Sequence, residues 1–379
     1  MTLRRLFLLF IASAFILTAA PHPQAQQTRP TPTPTPEETP REDQEPIRVF
    51  TEEVRLPVVA FDDFGYFDPT LELQDVLVIE DGVQQQVRSI RHIPASVLFV
   101  LDVDNQIAVG KKTETTRAVT KRLASHLKKG DELAVLQFGN GVQVLQNWTT
   151  ETEPLAHILK TKLLGGKRGR ISEALVAASQ MFKDKPAGSR HVVLITDGIE
   201  APGSKVAYAE AVKQLIAAQA TVHVISYTGL VRDAIAARYS KSIVSGGNGK
   251  QGNQTPGAMD PTMADGSMNR TPSFSILTID TDRAMRRWYK KYAEGTRANE
   301  QRLVQLAEET GGQLLLPESE DDMLKKADEV ARDIGAQYVL TYTPQRPLAS
   351  AQPGEYRRIE VAPRRTGLRL RTRRGYIAK

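Results

Sequence analysis

Two aspartates in this chain each follow a short apolar run, which is where a sheet can present carboxylates to a cation or a polar ligand. Val97–Leu101 is continuously apolar and runs into Asp102, and His191–Thr196 runs into Asp197. Apolar runs this short are typical of strands that are buried on both faces of a parallel sheet. Because open α/β sheets bind ligands at the carboxyl ends of their strands, we expect Asp102 and Asp197 to lie at one site.

The sequence contains none of the common catalytic patterns. It has no cysteine, which excludes disulfides, zinc–thiolate sites and thiol nucleophiles. The glycine-rich segment Gly165–Arg170, GGKRGR, lacks the Gly-Lys-Ser/Thr ending of a phosphate-binding loop. His191 and His223 fall at or inside predicted strands and are expected to be core residues. We therefore expect a non-enzymatic protein with no catalytic residues.

The N-terminus has the pattern of an export signal. A basic start, Met1–Arg5, precedes the apolar segment Leu6–Leu17 and several small residues, so we predict a secretory signal peptide over residues 1–25. The alternative is an uncleaved anchor. Gln26–Glu45 alternates threonine with proline, which predicts a disordered tether. The chain is thus expected to be exported from a bacterium, into the periplasm or the medium, with no transmembrane span after cleavage.

The order of the predicted strands and helices indicates an α/β fold that is flanked by β-structure on both sides. From Ser96 onward, strands alternate with helices, which predicts a doubly wound, mostly parallel sheet with helices on both faces. Ser172 is expected to cap one of these helices. Residues 46–94 contain strand-like segments at Val54–Phe61, Val76–Glu80 and Val83–Ile93. Together with residues 336–379 they are expected to form one small β-domain beside a domain that spans residues 95–335.

A long insertion, residues 230–299, interrupts the alternating order. Within it we predict a short strand at Ile276–Ile279 and a helix at Asp282–Gly295, followed by a separate helix at Glu300–Glu309. The predicted helix Asp282–Gly295 carries Trp288, Tyr289 and Tyr292. These aromatic residues either form a binding patch or pack the insertion onto the body; we expect packing.

Positive charge is concentrated at the C-terminus. The formal net charge is +6, and residues 357–379 contain a single acid, Glu360. The cations of this stretch are Arg357, Arg358, Arg364, Arg365, Arg369, Arg371, Arg373, Arg374 and Lys379. We expect them to cover a solvated strand face; the alternative is electrostatic contact with an anionic envelope surface. No nucleic-acid motif is visible, and we expect no nucleic-acid partner.

In their order, these motifs resemble the von Willebrand factor type A (vWA) domain. The resemblance rests on Asp102, on Asp197 followed by Gly198, and on the strand–helix order between them. The flanking motifs resemble those of the vWA-related proteins described from Acidobacteria. These motifs are Glu80-Asp81-Gly82, Gly311-Gly312, Gln337-Tyr338, Tyr342-Thr343-Pro344 and Arg374-Gly375-Tyr376. The resemblance implies a Rossmann-like α/β fold that binds a protein partner.

The resemblance also implies a metal-ion-dependent adhesion site, which this chain carries in degenerate form. The family's Asp-x-Ser-x-Ser loop becomes Asp102, Asp104 and Gln106, and the last ligand position is Asp197. The family's threonine position falls near Gly169. If a divalent cation binds, three carboxylates favour Ca²⁺ over Mg²⁺. In the alternatives, the acids only stabilise strand ends, or basic loop residues neutralise them or contact the partner. Those basic residues are Lys167, Arg168 and Arg170.

These observations lead to two hypotheses about function. In the first, the chain is an exported, non-enzymatic vWA-type binding protein that engages a protein partner at the carboxyl edge of its sheet. In the second, it is a structural or assembly protein of the cell envelope whose metal site is vestigial and metal-free.

Overall fold

The structure is a computed structural model that describes residues 52–103, 113–166, 169–233 and 278–378. Its helices are α1 (Thr113–Ala124), α2 (Leu155–Lys162), α3 (Ile171–Met181), α4 (Tyr208–Ala217), α5 (Thr278–Thr310) and α6 (Glu320–Ala336). Its strands are β1 (Val54–Phe61), β2 (Val76–Glu80), β3 (Val83–Gln85), β4 (Val87–Arg91), β5 (Ser96–Asp102), β6 (Glu132–Phe138), β7 (Val142–Thr149), β8 (Arg190–Thr196), β9 (Thr221–Ser226), β10 (Leu314–Leu315), β11 (Tyr338–Tyr342), β12 (Tyr356–Pro363), β13 (Arg369–Thr372) and β14 (Gly375–Ile377). None of the helices in these ranges is long and apolar enough to cross a membrane.

The central layer is a six-stranded sheet in the order β10-β9-β8-β5-β6-β7. Its strands pair in parallel, except that β7 runs antiparallel to β6. Every residue of β5 is buried. The prediction of a doubly wound, mostly parallel sheet is therefore confirmed.

Helices cover both faces of this sheet, and each face has its own apolar core. Odd-numbered residues of β5, such as Phe99, pack with side chains of α1, α2 and α6. Even-numbered residues, such as Leu98, pack with side chains of α3, α4 and α5. Side chains alternate across a strand, so an apolar residue at every position is what burial on both faces requires.

Strands from the two flanks of the chain pair with each other. They form two four-stranded sheets, β13-β1-β11-β4 and β14-β12-β2-β3. Val54 lies opposite Tyr342, and Glu80 lies opposite Ile359. A third apolar core, including Leu56 and Leu340, is formed by these strands. The pairing agrees with the predicted β-domain, and the boundaries given for the domains stay a prediction.

Two strand predictions are wrong in detail. Val83–Ile93 does not form one strand, because β3 pairs with β2 in one sheet and β4 pairs with β11 in the other. Gln86 lies at the point where the chain passes between the sheets. The predicted strand Ile276–Ile279 is also wrong at residues 278 and 279, which are helical, while residues 276 and 277 lie outside the described ranges.

The two helices predicted at Asp282–Gly295 and Glu300–Glu309 are one continuous helix, α5. Gly295, which the sequence suggests as a helix end, is exposed and has nothing within 4 Å of the position that a Cβ would occupy. A glycine lowers helix propensity by only about 1 kcal/mol, which is too little to end a helix that tertiary contacts hold farther along.

The basic C-terminal stretch is not uniformly solvated. Arg357 is fully buried and donates from Nη1 to Glu80 Oε1 at 3.0 Å. The hydroxyls of Tyr342 and Tyr376 donate to Glu80 Oε2 at 2.8 and 3.0 Å. Arg373 is also buried, and burial lowers its pKa to about 10. The prediction of a solvated face is thus wrong for Arg357 and Arg373, since a buried arginine needs internal partners.

Two histidines lie buried in the central sheet, as the sequence predicts for core residues. The rings of His191 in β8 and His223 in β9 are stacked with centroids 5.9 Å apart. Burial lowers the pKa of both imidazoles from 6.5 to about 3. The charged groups that face them are Asp333, whose Oδ2 is 3.3 Å from His223 Nδ1, and Arg371, which pairs with Asp333.

We predict that the free energy of unfolding falls as the pH drops from 6.5 toward 3. In that window the unfolded chain binds protons that the folded histidines exclude, which costs about 1.4 kcal/mol per pH unit for each histidine. Burial raises the pKa of Asp333, so its protonation offsets part of this loss. His223→Phe should make the acid loss about half as steep in urea unfolding at several pH values.

The matched control for removing an imidazole is His157→Phe, because His157 is exposed on α2. An acid slope that is identical in wild type and His223→Phe would contradict the prediction.

Candidate functional site

The candidate site begins where β5 and β8 end side by side at the carboxyl edge of the central sheet. Asp102 and Asp197 are both buried, with exposed fractions of 2% and 5%. Thr196 Oγ1 donates to Asp102 Oδ2 at 2.8 Å and accepts a hydrogen bond from the Gly198 backbone N–H at 3.0 Å. One threonine hydroxyl therefore joins the two aspartate loops that the sequence predicts to be neighbours.

The loop that follows Asp197 is fixed by its own backbone and by α5. Asp197 Oδ1 accepts a hydrogen bond from the Ile199 N–H at 3.1 Å. Gly198 has a φ of +72°, and a Cβ there would lie 2.9 Å from Leu303 Cδ1 of α5. Only glycine satisfies both the backbone angle and this close packing.

The glycine-rich loop closes on the same edge through its backbone. The Gly166 N–H donates to the Val103 carbonyl at 2.7 Å. A Cβ at Gly166 would lie 2.7 Å from Gly139 Cα, so no larger residue fits there. Gly169 is buried, and its carbonyl accepts a hydrogen bond from the Ala201 N–H at 2.8 Å. The position at which the vWA resemblance expects a threonine hydroxyl thus contributes backbone atoms instead.

Polar groups at the start of α3 complete this side of the edge. Arg170 pairs with Glu173 at 3.3 Å. The N–H and the hydroxyl of Ser172 both donate to Glu200 Oε2 at 3.0 Å. The prediction that Ser172 caps the helix is wrong: Arg170 is the N-cap residue, and the carboxylate of Glu200 satisfies the helix start from outside.

Of the predicted site residues, the structure describes Asp102, Asp197 and Arg170. It brings the two aspartates to adjacent strand ends and places Arg170 at the start of α3, where it forms its ion pair with Glu173. The other predicted site residues lie outside the described ranges: Asp104, Gln106, Lys167 and Arg168.

The sequence analysis missed a polar cluster at the end of β9. Glu300 of α5 accepts hydrogen bonds from the Thr228 hydroxyl and from the guanidinium of Arg232. The Ser226 and Thr228 hydroxyls lie 3.0 Å apart. Local sequence gives no signal for this cluster, because Glu300 belongs to a helix beyond the insertion. Thr196, by contrast, directly precedes Asp197, so its position could have been noticed.

The segment that contains both aspartates carries a family signature. Residues 97–200 match the family model of the von Willebrand factor type A domain. The chain contains a vWA domain. The resemblance in the sequence is thereby confirmed for the family, and the closer resemblance to proteins from Acidobacteria stays a prediction. No curated protein matches the chain.

Solved structures also match the vWA domain and its surroundings. The von Willebrand factor type A structure from Catenulispora acidiphila is 10% identical, and the match covers 85% of this chain and 73% of that one at a TM-score of 0.42. An aerotolerance-related membrane protein from Bacteroides fragilis is 17% identical over 64% of this chain and 98% of its own, with a TM-score of 0.39. BatB from Bacteroides thetaiotaomicron is 21% identical over 35% and 66%, with a TM-score of 0.31.

The described residues of the vWA domain do not make up a cation site. Within the ranges that the structure describes, no group of three or more His, Asp or Glu side chains is arranged to hold a metal ion. The carboxylates of Asp102 and Asp197 accept protein hydrogen bonds, and the glycine-rich loop supplies no hydroxyl near Gly169. A divalent cation needs about six oxygen ligands, some of which water can supply, and the ligands that Asp104 and Gln106 would add lie outside the described residues.

We predict that Thr196→Val destabilises the protein by about 2–3 kcal/mol, because it removes the Thr196 hydroxyl that donates to the buried Asp102 carboxylate. Urea unfolding checks this value. Thr120→Val is the matched control, since Thr120 is equally buried but donates only to the Thr116 carbonyl of its own helix. An equal loss in the two variants would contradict the importance of the Thr196–Asp102 hydrogen bond.

Proposed function

We propose that this chain is an exported, non-enzymatic binding protein that engages a protein partner at the carboxyl edge of its vWA sheet. The observation that carries the proposal is the pair of buried aspartates, Asp102 and Asp197, which end neighbouring strands and are joined through Thr196.

The burial of these acids supports a functional role rather than a purely structural one. Removing a carboxylate from water costs free energy that hydrogen bonds repay only in part, so two carboxylates at adjacent strand ends reduce stability relative to well-packed apolar residues. The carboxyl edge is also the place where open α/β sheets bind their ligands. A costly polar group at the favoured binding edge is best explained by binding.

The proposed contact residues come from the glycine-rich loop. Arg170 is about a quarter exposed and starts α3 beside the edge, and Lys167 and Arg168 directly precede it in the sequence. Three cations within four residues suit acidic groups of a protein partner. In this proposal the contact is made by protein side chains alone, without a metal ion at the degenerate adhesion site.

The location rests on the sequence of the N-terminus. The signal-like residues 1–25 and the Thr/Pro-rich residues 26–45 support export into the periplasm or the medium. The alternative function is a structural or assembly role in the cell envelope, supported by the exposed arginines of the flanking sheets, Arg358, Arg364 and Arg369.

The test of the proposal is partner capture by wild type and by Asp102→Asn and Asp197→Asn. Each variant keeps the side-chain volume and an oxygen that accepts hydrogen bonds but removes one charge. Crosslinking of the purified chains to an extract of the producing cells, followed by quantitative mass spectrometry, should show at least tenfold weaker capture of a defined partner, about 1.4 kcal/mol. Asp184→Asn is the matched control, because Asp184 is exposed and lies just after the end of α3.

Thermal melts establish that the variants are folded. If folded Asp102→Asn and Asp197→Asn capture the partner as well as wild type, binding at this edge is excluded. Loss of capture on changing Arg358, Arg364 and Arg369 to Gln would then favour the structural role.

We further predict that chelator and millimolar Mg²⁺ or Ca²⁺ leave the melting midpoint of the chain unchanged, because Asp104, Gln106 and Gly169 stand where the vWA adhesion site has hydroxyl ligands. An ion that bound only the folded state at a hundred times its dissociation constant would add about 2.7 kcal/mol of stability. A rise in the midpoint that disappears in Asp102→Asn would contradict this prediction and establish a cation site formed by Asp102, Asp104, Gln106 and Asp197.

A further inference from the structure

The flanking sheet β13-β1-β11-β4 packs against the amino edge of the central sheet, where β8 and β9 begin. Gly188, just before β8, has a φ of +95°. A Cβ at this glycine would lie 2.9 Å from Val339 Cγ1 of β11 and 3.2 Å from Arg55 Cβ of β1. The candidate site lies at the opposite, carboxyl ends of the central strands. The contact between the two sheets is therefore close, and it is separate from the aspartate pair.

Six residues make polar contacts where the two sheets meet, and we call them the junction. They come from the chain before β8, from β8 and β9, from α6 and the turn after it, and from β13. The members are Gly188, His191, His223, Asp333, Gln337 and Arg371. The first five are buried, and Arg371 exposes 26% of its side chain. The junction thus places two titratable histidines between the sheets.

The contact of His191 with Gln337 requires a neutral imidazole. Gln337 Nε2 donates to the Gly188 carbonyl at 2.9 Å and lies 3.2 Å from His191 Nε2. An amide N–H can donate to that ring nitrogen only while the nitrogen carries no proton, and a charged imidazole has a proton on both nitrogens. Turning the amide over would place its oxygen against the Gly188 carbonyl. Protonation of His191 therefore breaks a contact between β8 and the residue before β11.

His223 and Arg371 face the same carboxylate oxygen. Asp333 Oδ2 is 3.3 Å from His223 Nδ1 and also pairs with Arg371 Nη2. Arg371 holds β13 at the junction, because it also donates to the Gly311 carbonyl at 3.2 Å and to Gln313 Oε1 at 3.3 Å. With neutral histidines the junction contains one cation and one anion. With both histidines protonated it would contain three cations and one anion, and buried charges without partners are strongly destabilising.

Two other titratable groups adjoin the junction, and neither is an acid. His92 Nδ1 is 2.8 Å from the Gln337 carbonyl. An N–H that donates there is present in the charged ring as well, so protonation of His92 leaves this contact intact. Arg190, the residue before His191, donates to the carbonyls of Lys185 and Ala218. These groups therefore do not compensate positive charge on the buried histidines.

We propose that the junction is a pH-sensitive switch, in which protonation of His191 and His223 releases the flanking sheet β13-β1-β11-β4 while the central sheet stays folded. Release hydrates both imidazoles and restores their ordinary pKa near 6.5, whereas burial lowers it to about 3 in the closed junction. Protons therefore bind the released state in preference, and the population of that state rises as the pH falls.

Hydrogen exchange of the full chain at pH 7, 6 and 5, followed by mass spectrometry, measures this release. Dividing each rate by the intrinsic rate at that pH gives the population of open states. From pH 6 to 5, two histidines raise the released population by up to roughly 60-fold and one by up to roughly eightfold. Burial raises the pKa of Asp333, whose protonation in the closed junction reduces these factors. We expect at least a tenfold rise in peptides of β1, β11 and β13, and no rise in β5.

Two variants test whether the buried histidines are responsible. His223→Phe keeps a ring in the buried position and leaves one titrating imidazole, so the rise from pH 6 to 5 should be at most about eightfold. His92→Phe removes the exposed histidine beside the junction and should behave as wild type does. Thermal melts at pH 7 check that both variants are folded.

Three results would overturn the proposal. These are unchanged exchange of β11 between pH 6 and 5, an equal rise in β5 and β11, which is unfolding of the whole chain, and a full wild-type rise in His223→Phe. If His223→Phe does not fold, the comparison of β11 with β5 in wild type still decides. Because the readout is exchange at the amino edge, it is independent of partner capture at the candidate site.

Discussion

The burial of β5 on both faces is the constraint on which the rest of this structure depends. All seven of its residues are buried, so its side chains must be covered from two sides. Helices α1, α2 and α6 on one face and α3, α4 and α5 on the other meet that need. The strand ends at the first charged residue after its apolar run, which is Asp102. The position of the candidate site thus follows from the packing of the strand that carries it.

The flanking strands differ from the central sheet because they bury charged side chains. Arg357, Glu80 and two tyrosine hydroxyls form a buried network in which the acid accepts three hydrogen bonds. Such a network costs desolvation and is tolerable only when every member is satisfied. It also connects β2, β11, β12 and β14, so the two flanking sheets share one set of polar contacts. An arginine that the sequence assigns to a solvated face can therefore be part of a buried polar network.

The sequence was informative wherever a local pattern matched a local cause. The apolar run of β5, and the alternation of strands and helices around it, can be recognised from the sequence within a few residues. The joining of Asp102 to Thr196, and of Glu300 to Thr228, depends on strand order and on a helix beyond the insertion. The division of Val83–Ile93 between two sheets was unreadable for the same reason, because pairing partners lie far away in the chain.

The continuity of α5 through Gly295 means that the helix that follows the insertion also supports the candidate site. Asn299 and Leu303 lie against Gly198, and Glu300 accepts a hydrogen bond from Thr228. Because there is no room for a Cβ between Gly198 and Leu303, the position of α5 limits the conformations that the loop after Asp197 can adopt. The geometry of that loop therefore depends on a helix that lies beyond the insertion in the chain.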